Sequence, residues 1–153
     1  MDLKRISLGE IIAIVGGSLL GAGLFLKWYE SSSRLATVTG QQKGKGTFSG
    51  WEVHTLIRYL FLAAAIAPLI LAYIIARNHT LSWPRGQVTS VIAIAVFGLL
   101  IYNGVIELPG EPASQIGLKS GWFVSTAGAL LMLYGSVRRQ QETEMKRKPP
   151  GTL

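Results

Sequence analysis

The stretch SGWEVHT at residues 49–55 returns as SGWFVST at residues 120–126, with five of the seven positions identical. Each copy opens a long apolar run, and another apolar run precedes each copy. The pattern predicts two helical hairpins in tandem, each built as apolar run, loop, Ser-Gly-Trp, apolar run. Chance is the alternative explanation, because small and aromatic residues are common where apolar runs begin.

Four apolar runs, at about residues 11–26, 56–76, 88–106 and 121–137, explain an apolar content of 49% and a charged content of only 15%. A helix needs about 20 residues to cross a hydrocarbon core. The runs lack the polar face that a surface helix of a soluble protein presents to water, which argues against a soluble helical core. We predict an all-α integral membrane protein, a bundle of four transmembrane helices at about 7–28, 51–76, 83–106 and 121–139. The bundle forms one domain over residues 1–137.

The basic residues predict how the chain lies across the membrane. Nine of the 15 lysines and arginines fall on the side of the N-terminus and six on the other side. Positive charge is enriched in cytoplasmic loops, so both termini are predicted to be cytoplasmic in a multi-pass plasma-membrane protein. The basic tail at 138–153 is predicted to be partly disordered and to face anionic lipid headgroups. We therefore attribute the net charge of +7 to lipid binding rather than to nucleic-acid binding. The absence of cysteine favours a bacterial or phage-encoded protein.

Small residues recur at four-residue spacing in the first run, at Ala13, Gly17 and Gly21. Such a strip lets the backbone of another helix come close, which matters in lipid because no hydrophobic effect drives helices together. We interpret it as a packing face, either within the chain or between protomers.

All four tryptophans stand beside the ends of apolar runs: Trp28, Trp51, Trp83 and Trp122. An amphipathic indole is favoured at the border between water and lipid. We predict that they are interfacial anchors rather than a ligand cage.

The first loop after a membrane crossing runs from about residue 30 to residue 48. Its β-prone segment at 34–39 is followed by a glycine-rich stretch, which predicts a short β-hairpin lying over the helix ends. Two strands alone are marginally stable, so the hairpin needs support from the helices or from a partner.

Arg58 is the one charge inside an apolar run, two turns into the second predicted helix. A cation there either pairs with an acid or extends to the headgroups. Glu107, at the matching end of the third run, lies at the same depth. We predict an intramembrane ion pair between Arg58 and Glu107.

Catalytic and cofactor chemistry finds little support in the sequence. His54 and His79 lie at opposite ends of one predicted helix, about 37 Å apart at about 1.5 Å per residue, so they cannot share a haem or a metal ion. No phosphate loop or nucleophile motif is present. We expect neither a cofactor nor a metal, and no enzymatic activity.

In outline the chain resembles the claudin-like four-helix proteins, with a β-prone first outer loop and a tryptophan before the second helix. It lacks that family's paired loop cysteines and its tryptophan-glycine-leucine-tryptophan signature. The resemblance covers topology alone and implies no residue roles.

Two functions fit this outline. The first is a structural or accessory subunit of a larger membrane complex, bound through the glycine face of the first helix and the first outer loop. Its partner would be another membrane protein, whereas binding to itself as a homo-oligomer favours the second function. The second is an oligomeric pore or channel of the holin type. A pore needs a polar stripe, and the runs offer only scattered polar residues: Ser18, Thr89, Ser90, Asn103, Ser125 and Thr126. This scarcity favours the accessory subunit.

Overall fold

The computed structural model of the chain describes residues 6–34, 36–38, 42–77 and 85–147. Its α-helices are α1 (Leu8–Phe25), the single-turn α2 (Gly50–Val53), α3 (Ile57–Ala76), α4 (Arg85–Ile101) and α5 (Ser120–Arg147). A π-helical turn at Tyr102–Ile106 extends α4, and a 3₁₀ turn at Ala113–Gln115 lies in the loop before α5.

Within these described ranges, four helical segments are long and apolar enough to cross a membrane: Leu8–Phe25, Ile57–Ala76, Gly86–Ile106 and Ser120–Thr143. They contain 18, 20, 21 and 24 residues. At about 1.5 Å per residue, these lengths are close to the roughly 30 Å of a hydrocarbon core. Large apolar side chains such as Leu69, Val91 and Leu130 are exposed on their outer faces. The predicted bundle of four apolar helices is confirmed.

The helix ends differ from the prediction in three places. α1 ends at Phe25 rather than near residue 28, because Lys27–Ser31 forms a β-strand. The second predicted helix is divided, since the backbone leaves the helical conformation at His54 before α3 begins. α5 continues to Arg147, so the first ten residues of the predicted tail, 138–147, are helical.

Two small antiparallel sheets cover the end of the bundle where α1 and α4 finish. The first has the order β4–β1–β6, with β1 (Lys27–Ser31) between β4 (Gly46–Ser49) and β6 (Ile116–Leu118). The second has the order β3–β2–β5, with β2 (Thr37–Val38) between β3 (Gln42–Lys43) and β5 (Gly110–Glu111). We call the six strands the sheet layer.

The sheet layer joins the two loops on this side of the bundle. The predicted short hairpin is present as β2 and β3. In each sheet the third strand comes from the loop before α5: Ser31 of β1 pairs with Ile116 of β6, and Thr37 of β2 pairs with Glu111 of β5. The support that a two-stranded hairpin needs is therefore provided in part by the second loop.

Helix α1 lies between α3 and α5, and α5 also packs against α4. Each predicted hairpin thus contains a packed helix pair, α1 with α3 and α4 with α5. The most extensive interface joins the two halves, between α1 and α5. Fully buried side chains fill the centre of the bundle, among them Leu20, Phe61, Leu100 and Met132.

Candidate functional site

A seam of glycines holds α1 against α5. Three glycines from each helix, spaced seven residues apart, meet in antiparallel order: Gly9 with Gly135, Gly16 with Gly128, and Gly23 with Gly121. A Cβ atom added to Gly16 would lie 2.6 Å from the carbonyl oxygen of Gly128, and one added to Gly128 would lie 2.6 Å from the carbonyl oxygen of Gly16. The two backbones are therefore in direct contact, with no room for a side chain between them.

The predicted strip of Ala13, Gly17 and Gly21 is divided between two neighbours. A Cβ atom added to Gly17 would lie 2.5 Å from the carbonyl oxygen of Ala65, and one added to Gly21 would lie 3.3 Å from the Cβ of Ala65. These two glycines therefore face α3. Ala13 is buried on the other side, where its backbone nitrogen would lie 2.6 Å from a Cβ atom on Gly135 of α5. All three residues pack within the chain.

Trp28 is fully buried between the two copies of the Ser-Gly-Trp motif. A Cβ atom on Gly50 would lie 2.6 Å from the Trp28 ring, and so would a Cβ atom on Gly121. The indole Nε1 donates a hydrogen bond to the carbonyl oxygen of Gly23, at 2.7 Å. Trp28 is thus part of the core and does not reach the headgroups. The prediction that Trp28 is an interfacial anchor was wrong. It did not foresee that Gly50, Gly121 and the sheet layer leave space for the indole ring inside the protein.

The other tryptophans differ from one another. Trp122 is also buried, with its ring against Gly104 and its Nε1 donating to the carbonyl oxygen of Leu100, at 3.0 Å. Trp51 remains partly exposed and stacks on Phe25, with ring centroids 5.2 Å apart, so its position suits an anchor. Trp83 lies outside the described residues.

Beneath the sheet layer, a buried hydrogen-bond chain links β1, the break before α3 and the end of α4. The Tyr29 hydroxyl donates to the carbonyl oxygen of Asn103, at 3.1 Å, and lies 3.2 Å from Nε2 of His54. Because the hydroxyl proton is used on Asn103, Nε2 of His54 is assigned as the donor to Tyr29. Burial lowers the pKa of His54 to about 4 and raises the pKa of Tyr29. His54 is therefore neutral at pH 7 and holds the sheet layer to the helices.

The structure does not bring Arg58 and Glu107 together. Arg58 Nη1 donates to the carbonyl oxygen of Trp51, at 3.4 Å, and Nη2 donates to the hydroxyl of Tyr59, at 3.1 Å. Glu107 instead accepts a hydrogen bond from the hydroxyl of Tyr102. Arg58 lies in the first turn of α3, near enough to the helix end to fold back on Trp51. The predicted ion pair assumed a more deeply embedded cation.

Most polar side chains in the apolar segments form hydrogen bonds within their own helices. Ser18, Asn103 and Thr126 each donate to the carbonyl oxygen four residues earlier, at 2.9, 2.8 and 2.8 Å. Thr89 and Ser125 are buried in the bundle. None of these five forms part of a polar stripe open to solvent.

A second polar group links α4 to α5. The hydroxyls of Ser90 and Ser136 lie 2.8 Å apart, and Nε2 of Gln140 donates to Ser90 Oγ, at 2.8 Å. Ser136 also donates to the carbonyl oxygen of Leu133, at 2.7 Å. Hydrogen bonds between helices stabilise packing in lipid, and this is their use here.

At the opposite end of the bundle, Glu10 joins α1 to α5. It forms a capping box with Ser7, in which each residue's side chain accepts a hydrogen bond from the other's backbone N–H. Its carboxylate also lies 3.2 Å from Nε of Arg139, and both side chains are largely buried. Arg138 lies 3.6 Å from Glu142. Two arginines of the predicted basic tail are therefore paired within the protein.

Within the described ranges, no three histidine, cysteine or acidic side chains come together as a metal site would require. No protein-family model, curated protein or solved structure matches the chain. The fold defines its class: a small, mostly helical protein with four helices able to span a membrane and small sheets in its loops.

Proposed function

We propose that this protein is a structural or accessory subunit of a larger membrane complex, without enzymatic activity of its own. The proposal rests on the way in which the polar side chains of the apolar segments are bonded and buried. They bond to their own helices, link neighbouring helices or lie buried in close packing. Among the described residues, those on the outer faces are then the ones available for function.

The same observation weighs against the alternative of an oligomeric pore. A pore formed by several copies needs a polar stripe on the outer face of each copy, to line the shared lumen. Ser18 is the one exposed residue among the six polar candidates, and its hydroxyl is turned back to its own helix. The outer faces are otherwise rich in exposed apolar side chains such as Leu60, Ile70 and Ile94, which suit lipid or another membrane helix.

The sheet layer is the surface that we assign to the protein partner. It is fixed by pairing between two loops, so a partner would meet a preformed surface and lose little freedom on binding. Thr47 and Glu111 are exposed on it.

The proposal of a protein partner is tested by purifying the tagged full-length chain from its native membrane in a mild detergent. We expect one other membrane protein in fixed stoichiometry, lost in Thr47→Arg and retained in Gln141→Arg. The control adds the same charge at an exposed position on the opposite end of the chain. A chain that purifies alone, whether as monomer or as homo-oligomer, contradicts the proposal. Release of a trapped dye from liposomes by such an oligomer would favour the pore.

For orientation we propose that both termini face the cytoplasm and that the sheet layer faces outward, as the nine-to-six distribution of basic residues favours. Because the chain has no cysteine, single introduced cysteines report their own positions. Ser114→Cys should react with a membrane-impermeant thiol reagent on intact cells, and Gln141→Cys should react only after the cells are lysed. The reverse pattern would place the sheet layer in the cytoplasm.

A further inference from the structure

Arg58 is held in a fixed position at the sheet-layer end of the bundle. Its guanidinium carbon lies 4.9 Å from the ring centroid of Trp51 and 4.9 Å from that of Tyr59. Two of its five N–H donors are engaged, one by the Trp51 carbonyl oxygen and one by the Tyr59 hydroxyl. The Nε–H is buried without a partner among the described residues, so the donors left for an additional acceptor are the second N–H of Nη1 and the second N–H of Nη2.

The charge of Arg58 has no counter-ion within the described chain. At this end of the bundle Lys27 pairs with Glu52, at 3.4 Å, and Lys119 pairs with Glu30, at 2.5 Å. No carboxylate of the described residues lies within ion-pair distance of Arg58. A cation at a membrane boundary without an acid partner requires an anion from outside the chain or water.

The start of α3 adds to the attraction for an anion. α1 and α2 begin with capping boxes, whereas Leu56 at the start of α3 provides no side-chain hydrogen bond to the helix end. A helix N-terminus carries partial positive charge and free N–H groups. Arg58 lies in this first turn, so its charge and that of the helix end act at the same place.

Apolar surface surrounds this positive region. Leu56 is 82% exposed, Leu60 58% and Phe25 57%, and Phe25 stacks on Trp51. Ile57 is the first residue of the candidate span in α3, so Arg58 lies at the boundary of that span, where headgroups would meet acyl chains. A ligand suited to this place combines an anion with hydrocarbon.

We propose that Arg58, between Trp51 and Tyr59, binds the phosphate group of a phospholipid in the leaflet at the sheet-layer end. The acyl chains of that lipid lie against Leu56 and Leu60. A guanidinium matches phosphate in shape and charge, and the apolar neighbours would gain nothing from a free phosphate ion. The site is separate from the binding of a protein partner, which we assign to the sheet layer.

The test is native mass spectrometry of the full-length chain in detergent, titrated with dioleoyl phosphatidylglycerol. For the wild type we expect tighter binding of this lipid than of dioleoylglycerol, which has the same acyl chains and no phosphate. Equal affinity for the two would overturn the proposal. Displacement of the lipid by inorganic phosphate at equal concentration would also overturn it, because the site would then hold a free anion.

Variants assign the binding to the side chain. Arg58→Gln should bind phosphatidylglycerol about tenfold more weakly, as expected for the loss of a charge-assisted hydrogen bond. Lys45→Gln removes the same charge from an exposed residue at the same end and should bind like the wild type. Should Arg58→Gln fail to fold, Arg58→Lys keeps the charge without the planar fork and should bind more weakly than the wild type. Unchanged affinity in the folded Arg58 variant contradicts the assignment.

Discussion

At the level of single residues, close backbone contact decides what each position tolerates. Gly16 and Gly98 are both helical glycines in apolar segments, yet their surroundings are opposite. A Cβ atom on Gly16 would lie 2.5 Å from the backbone nitrogen of Met132, whereas one on Gly98 would have nothing within 4 Å. A glycine at a helix contact can therefore be told apart from one that faces outward.

Gly16→Ala should destabilise the protein by about 1–3 kcal/mol, because α1 and α5 must move apart to admit the methyl group. Gly98→Ala is the matched control and should be neutral or stabilising by up to about 1 kcal/mol, since alanine has the higher helix propensity. Thermal unfolding in detergent, followed by circular dichroism, measures both. Equal effects from the two substitutions would show that α1 and α5 are not in close contact.

His54 makes stability depend on pH in a predictable direction. Burial holds its pKa at about 4 in the folded protein, compared with 6.5 for an exposed histidine. Between these values the unfolded chain binds a proton at this position and the folded chain does not. The free energy of unfolding should therefore fall as the pH is lowered from about 6.5 to about 4, by as much as about 3 kcal/mol.

The measurement is denaturant unfolding of the wild type and of His54→Gln over this pH range. The variant should be less stable at pH 7, because its side chain replaces the bond to Tyr29 imperfectly, and its stability should change less as the pH falls. Identical pH profiles for the two proteins would mean that the pKa of His54 is not lowered in the folded protein.

At the level of elements, the sequence predicted the number and type of the long helices because apolar length is a local property. The helix ends were less predictable. Lys27–Ser31 looked like the end of a helix with its boundary tryptophan, and only pairing with Gly46–Ser49 and Ile116–Leu118 makes it a strand. Contacts between residues so distant in sequence leave little local trace in strands this short.

The glycine seam between α1 and α5 is visible in the sequence, but not in a search for small residues at four-residue spacing. Spacing of four directed attention to Gly17 and Gly21, which do pack, but against α3. The seven-residue spacing of Gly9, Gly16 and Gly23 recurs in α5 at residues 121, 128 and 135. A search for equal glycine spacing in two runs would have paired α1 with α5.

The joining of the two loops can be tested with a disulfide. Thr37 of β2 and Glu111 of β5 are direct partners across the strands, and both are exposed. Thr37→Cys with Glu111→Cys should lose both free thiols on mild oxidation, because paired strand positions lie within the range that a disulfide spans. Thr37→Cys with Ser114→Cys is the control and should keep its thiols. Equal oxidation of the two pairs would indicate loops that are not held in register.

At the level of the whole molecule, the Ser-Gly-Trp repeat acquires a physical meaning. The glycines of both copies contact the ring of Trp28, and the serine of the first copy caps α2. The tryptophans of the two copies differ in burial, since Trp122 is buried in the bundle and Trp51 stays near the surface beside Arg58. The burial of Trp28 could not be predicted from its place beside an apolar run, because it depends on glycines from two other segments.

We place function on the outer faces because the interior of the bundle is closed to water. The chemical reactivity of one buried position tests this closure most directly. Ser125 is fully buried in α5 against Gly23 of α1, so a reagent reaches it only if water enters the bundle, whereas Ser114 is exposed in the loop before it. In native membranes Ser114→Cys should react rapidly with a small charged methanethiosulfonate reagent, and Ser125→Cys should remain unreacted until the protein is unfolded. Comparable rates at the two positions would mean that water reaches the interior, and would contradict a closed bundle.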